Sequence, residues 1–253
     1  MKQQMQLAEL SLKLEELENQ KRDFVTDTRN VEFISEDNRS LIELNNGEVF
    51  EINNIAHAQI CNDLKIPKKY YDRMQASAPG LLMENVNHWL RDEPEKRLLR
   101  TICNGKKTAR AWLSNKYRRI DNYDIAKTAL PALAEIPGVR VESCALTDTN
   151  MHIKAVLPQI EAQIDVGDVV QAGIAIRNSE VGRGSVSVSL FIYRLLCKNG
   201  MQIPDARSNT RHVGRRIETG DADVYEIYQD DTIEADDKAV LLKVRDMVKA
   251  AAD

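Results

Sequence analysis

Between Lys96 and Ile120 the chain carries nine cations, Lys96, Arg97, Arg100, Lys106, Lys107, Arg110, Lys116, Arg118 and Arg119, and no acid. Cations at this density are what a phosphate backbone demands. The same stretch holds Trp112 and Tyr117, whose ring faces suit an unstacked base. A second concentration, Arg194, Lys198, Arg207, Arg211, Arg215 and Arg216, is opposed over its length only by Asp205, and His212 stands inside it. The string Asn178-Ser179-Glu180-Val181-Gly182-Arg183-Gly184-Ser185 offers a further anion site. Its two glycines permit positive φ, so successive N–H groups can converge on a phosphate while Arg183 adds charge. The plainer alternative is a hairpin whose glycines only satisfy a turn.

Other chemistries find no footing. There is no G-x-x-x-x-G-K-[ST], no G-x-G-x-x-G opening a helix after a strand, no H-E-x-x-H and no G-x-S-x-G. Cys61, Cys103, Cys144 and Cys197 are far apart, without C-x-x-C or a close histidine, and read as buried free thiols. No cofactor and no metal site is called for. Glu142, Asp148 and Lys154 can be cast as a metal-dependent nuclease triplet, and Asp121, Glu180 and His212 as an acid–base set. Such triplets arise by chance in a chain that is 29% charged.

The net charge of −4 excludes a globally basic binder, so any nucleic-acid role rests on local patches. No stretch approaches the roughly 18 apolar residues that span a bilayer, and the acidic, amphipathic N-terminus is unlike a signal peptide. The expectation is a cytoplasmic protein with no membrane contact.

The elements that position these residues follow from periodicity. Leu7, Leu10, Leu14 and Leu17 make residues 1–24 an amphipathic helix. Short strands over Val31–Ile34, Leu41–Leu44 and Glu48–Ile52 form a meander turned by Asn45-Asn46-Gly47. Helices follow from Asn54, from Tyr70 and from Pro79 to about Arg91. The first two, broken at Lys65-Ile66-Pro67, have a helix-turn-helix cadence whose second helix would present Lys68, Lys69 and Arg73 to a DNA groove; the plainer alternative is a short helix pair with a proline break. Leu98–Cys103 and Thr108–Leu113 flank Asn104-Gly105 as a basic hairpin, in which alternation sets Arg110 and Trp112 on one face and Ala109, Ala111 and Leu113 on the other; the alternative left open is a solvated sheet face with Trp112 covered by a helix. A helix capped by Asp121-Asn122 runs to about Glu135, kinked at Pro131. Two further hairpins occupy Val139–Leu157 and Val169–Tyr193; in the last arm Val186, Val188, Leu190 and Ile192 face one way and Ser185, Ser187 and Ser189 the other. From Glu218 to Asp237 stand nine acids and no base, before a final helix from about Glu234 to Ala251.

The predicted fold is α+β: an antiparallel, hairpin-rich sheet with helices on one side, an N-terminal amphipathic helix and a C-terminal helix. Residues 25–217 read as one core domain, since no Pro/Gly/Ser-rich linker interrupts them, and residues 218–253 as an acidic segment and helix.

The strings IPKKYYDRM, NHWL, RAWLSNKYRRIDN, LTD, VGD, NSEVGRGS, YRLLCKNGM and RHVGRR, in this order from Ile66 to Arg216, resemble the phage- and plasmid-borne family known as domain of unknown function nine hundred and thirty-two. The resemblance covers about three-fifths of the chain and implies a mobile-element origin. Members are commonly longer after the acidic stretch, which implies a trimmed domain or a short variant here. More distantly, the hairpin-rich core backed by a helix is similar to the single-strand annealing proteins of phage recombination, an analogy of architecture alone.

Together these features lead to a non-enzymatic protein that binds single-stranded DNA along a basic groove and assists annealing or recombination. Lys106, Lys107, Arg110, Lys116, Arg118 and Arg119 are expected on phosphates and Trp112 and Tyr117 on bases. Asn178, Arg183, Ser185, Arg194, Arg211, His212 and Arg215 would clamp backbone oxygens. A homo-oligomer would repeat the patch along one strand. Two other classes stay open: an interaction module using the acidic tail or the leucine stripe, and the nuclease above.

Overall fold

The computed structural model describes residues 5–165, 168–194, 207–210 and 230–250. Its architecture is mixed α+β, with mainly antiparallel sheets, an N-terminal helix and a C-terminal helix. Residue contacts divide the chain into two compact units, Glu16–Tyr117 and Met1–Glu15 with Arg118–Asp253, where the sequence suggested one core over 25–217. Each apolar set closes on its own sheet, and so two cores form without a linker between them.

The unit Glu16–Tyr117 is built on six strands: β1 (Lys21–Asp27), β2 (Val31–Glu36), β3 (Arg39–Leu44), β4 (Val49–Ile52), β5 (Lys96–Cys103) and β6 (Lys107–Ser114). Their order is β1-β5-β6-β4-β3-β2. All pairs are antiparallel except β4 with β6, because three helices return the chain from β4 before it enters the hairpin. Two left-handed residues, Asp37 and Asn38, turn β2 into β3, the backbone that a two-residue hairpin requires. Between β5 and β6 the loop is Asn104-Gly105-Lys106, with Gly105 at φ 85.

The returning helices are α2 (Asn54–Asp63), α3 (Lys68–Ser77) and α4 (Pro79–Asp92). Asn53 caps α2, its Oδ1 accepting from the N–H groups of Ile55 at 3.0 Å and Ala56 at 2.8 Å. Lys65, left-handed at φ 56, and Pro67 stop one helix and start the next. Ile60, Tyr71, Leu82 and Val86 then pack on Phe33, Ile42, Phe50, Leu99 and Trp112, so the helices cover one face of the sheet.

The other unit holds five antiparallel strands, β7 (Arg140–Leu146), β8 (Met151–Asp165), β9 (Asp168–Asn178), β10 (Val186–Arg194) and β11 (Arg207–Thr210), in the order β11-β10-β9-β8-β7. Three helices supply its core: Leu10 and Leu14 of α1 (Leu7–Gln20), Ile125, Ala129 and Leu133 of α5 (Asn122–Ala134), and Val240, Val244 and Val248 of α6 (Asp230–Ala250). Val186 and Val188 of β10 join them, as their alternation predicts. On the opposite face Phe191 and Tyr193 form a small cluster with Val156 and Ala175. Gly173 makes room there, since a Cβ on it would lie 2.4 Å from the Phe191 ring.

The amphipathic helix ends at Gln20, and residues 21–27 are a strand. Among the described residues no helix is long and apolar enough to cross a membrane.

Candidate nucleic-acid interface

The basic hairpin forms, but its side chains do not lie as simple alternation demands. Arg100 pairs with Ala111 and Thr101 with Ala109, so Arg110 is the extra residue of a β-bulge. The bulge shifts the phase, and Ala109 and Trp112 both enter the core beneath α2. Trp112 is 3% exposed. Its indole N–H donates to Asp63 Oδ2 at 2.8 Å, and its backbone N–H donates to Gln59 Oε1 at 2.9 Å. The expected stacking role for Trp112 is therefore corrected: its ring is part of the hydrophobic core and offers no face to a base.

The hairpin cations are divided in fate. Lys106 is exposed, 3.9 Å from Glu51. Lys107 lies over the Phe50 ring and hydrogen-bonds Glu48 at 2.7 Å, a bond that holds the Glu48 carboxyl below its usual range. Arg110 and Tyr117 are half-buried, and Lys116 is exposed. Arg97 ion-pairs with Asp63 and Glu95. Arg100 is fully buried on Asp23, with Nη2 2.8 Å from Oδ2.

In the other unit Arg118 is gripped by Asp236 and Asp237, and Arg119 is exposed. The Asn178–Ser185 loop is a structural element. Asn178, 1% exposed, donates from Nδ2 to the Ile120 carbonyl at 3.0 Å and to Asn122 Oδ1 at 2.9 Å. Glu180 Oε1 accepts from the Asn122 N–H at 2.7 Å, at the start of α5. The chain's own carboxylate takes the helix-terminal position that an anion favours. Gly182 has φ 70, and the Arg183 N–H donates to Ser179 Oγ at 3.0 Å, as a turn requires. These bonds correct the anion-nest expectation for Asn178 and leave Arg183 exposed, with Ser185 half-buried. Arg194 ends β10 opposite Val170. Arg211, His212 and Arg215, with the acids from Glu218 to Glu226, lie outside the described residues.

Two members of the nuclease triplet are engaged elsewhere. Glu142 accepts from the Tyr193 hydroxyl at 3.0 Å, which raises the phenol above its ordinary range, and Lys154 sits over the Phe191 ring. Among the described residues no three His, Cys, Asp or Glu side chains are grouped to hold a metal ion.

One exposed surface combines cations with an aromatic ring. On α3, Lys69, Arg73 and Tyr70 fall within an arc of about 100° and all are exposed, whereas Tyr71 is buried. Tyr70 is 54% exposed. Lys65 lies in the turn just before, and among the described residues Lys65, Lys69 and Arg73 make no ion pair. Lys68, by contrast, is held by Asp72 at 2.7 Å, and Asp72 also stands 3.5 Å from His57. Pro67 precedes α3 with no side-chain cap, and the first turn has no acid. Lysines at the positive end of a helix cost about 0.3–1 kcal/mol each, a cost that an arriving anion removes. The sequence pattern identified Lys68, Lys69 and Arg73 on this helix; Tyr70 was legible only once the buried side of α3 was known.

Comparison of the chain with protein-family models, with curated proteins and with solved structures finds no match.

Proposed function

We propose that the protein binds single-stranded DNA without cleaving it, gripping the backbone with Lys65, Lys69 and Arg73 and stacking a base on Tyr70. The observation that carries this reading is the α3 surface, where cations with no ion pair among the described residues lie beside a ring more than half exposed. Phosphate neutralisation supplies affinity, and the ring supplies a sequence-tolerant platform. Annealing or recombination in a mobile element is the process this activity would serve, in line with the resemblance carried by the motifs from Ile66 to Arg216. Several copies along one strand would raise the avidity of so small a patch.

The test is a stacking series measured by fluorescence anisotropy of a labelled oligothymidylate. Tyr70→Ala weakens binding by about 1–3 kcal/mol, the worth of one base–aromatic stack, and Tyr70→Phe restores most of it. Equal affinity for all three proteins would remove Tyr70 from the site.

A further inference from the structure

We propose that Arg118 and Arg119 form a second phosphate-binding site, in the five-stranded unit, which the first turns of α6 hold closed. The inference rests on the nucleic-acid reading and adds to it a site with a built-in competitor.

The segment that bears the two arginines is fixed from behind: Asn178 holds the Ile120 carbonyl and Glu180 holds the Asn122 N–H. On its open side stands α6. Asp236 Oδ2 contacts Arg118 Nη2, and Asp237 Oδ1 lies 3.0 Å from Arg118 Nε. The arginine side chain is left 12% exposed. Two carboxylates thus stand at the nitrogens that a phosphate would engage, Asp237 Oδ1 in ionic contact but without a hydrogen bond. A strand reaching Arg118 must displace them.

The closure is built to open. Asp237 feels the attraction of Arg118 and Arg119 but also the repulsion of Asp121 and Asp124. Desolvation and the neighbouring acids push the Asp237 carboxyl above its ordinary range despite both arginines. The Asp237 carboxylate is therefore held less firmly than its contact with Arg118 alone suggests. The anchors of α6, Val240, Val244 and Val248, lie entirely beyond Asp237. The first turns can lift while the apolar stripe remains seated.

The experiment compares oligothymidylate binding by the full chain with Asp236→Asn/Asp237→Asn, alone and combined with Arg118→Ala/Arg119→Ala. Opening the site raises affinity about tenfold at low salt, and steepens the log–log salt slope by about 1.4, the share of two phosphates. The added arginine substitutions cancel the gain. If the Asn variant binds as the parent does, while Lys69→Ala/Arg73→Ala still weakens the parent, this inference alone is wrong. If no variant and no parent binds, the nucleic-acid reading itself is wrong. Hydrogen–deuterium exchange on the unmodified protein guards against a misfolded variant: saturating oligonucleotide increases exchange over residues 234–239, and unchanged exchange there overturns the closure.

Discussion

The side-chain amide of Asn87 takes both backbone groups of Phe33: the Phe33 N–H donates to Asn87 Oδ1 at 2.7 Å, and Asn87 Nδ2 donates to the Phe33 carbonyl at 2.8 Å. Phe33 lies mid-way along β2, one of the two edge strands of its sheet, so these are groups that would otherwise invite another strand. Both residues are buried, at 7% and 1% exposure. Asn87→Ala strands a donor and an acceptor, and is expected to cost about 2–4 kcal/mol in urea unfolding and to promote self-association on heating. A loss under about 0.5 kcal/mol, within the range of ordinary surface substitutions, would show that water satisfies the strand without Asn87.

The Arg100–Asp23 pair invites a double-mutant cycle. Arg100 is completely buried, with Nε 2.9 Å and Nη2 2.8 Å from Asp23 Oδ2. Asp23→Ala leaves the guanidinium without its carboxylate in a low-dielectric interior and should destabilise the fold by about 3–5 kcal/mol. Arg100→Met with Asp23→Leu removes both charges and is expected to recover part of that loss. A double variant less stable than the single would contradict the account.

Thiol reactivity follows burial. Cys61 and Cys144 are buried and Cys103 is half-buried. Burial, helped by the Asp72 charge, pushes the Cys61 thiol up to about 11, and burial raises that of Cys144 as well. Thiolate is the reacting species, so Cys103 should alkylate well before the other two in the folded protein at neutral pH. Peptide mass spectrometry after a short iodoacetamide pulse reads the order, and prior labelling of Cys61 would contradict it.

Alkaline pH should weaken the six-stranded unit through Tyr71. Its hydroxyl donates to Ser40 Oγ at 2.8 Å, and burial pushes the phenol from its ordinary 10 up to about 12. The folded protein keeps this proton where the unfolded chain has lost it. Stability from this group is therefore full below pH 10 and declines as pH rises toward about 12. Tyr71→Phe should flatten that decline in pH-resolved urea melts. An unchanged slope would place the loss on another group.

Much of the fold was legible because local rules and packing agreed. Asn104-Gly105 turned a hairpin, α5 began after Asp121, although that side chain makes no capping bond, and Val186 and Val188 faced the core. The misreadings lie where one residue breaks a period. A single bulge at Arg110 moved Trp112 from an imagined binding face into the interior, and no local propensity announces such an insertion. Residues 21–27, with charged and apolar residues in no clear alternation, became a strand because β5 offered a partner edge, a tertiary effect. The candidate site suffered most. Charge density along the chain counts cations and not the carboxylates that the fold brings to them, which is why Lys107 and Arg118 looked available. Lys69 and Arg73 were equally visible as letters, yet only the burial of Tyr71 shows which side of α3 they share.

The salt dependence of oligothymidylate affinity addresses the proposed activity most directly. For the unmodified protein log affinity should fall steeply with log salt, and Lys65→Ala/Lys69→Ala/Arg73→Ala should make the slope shallower by about 2, three phosphates at roughly 0.7 each. An identical slope and affinity in the triple variant would contradict the assignment of the α3 surface as the site.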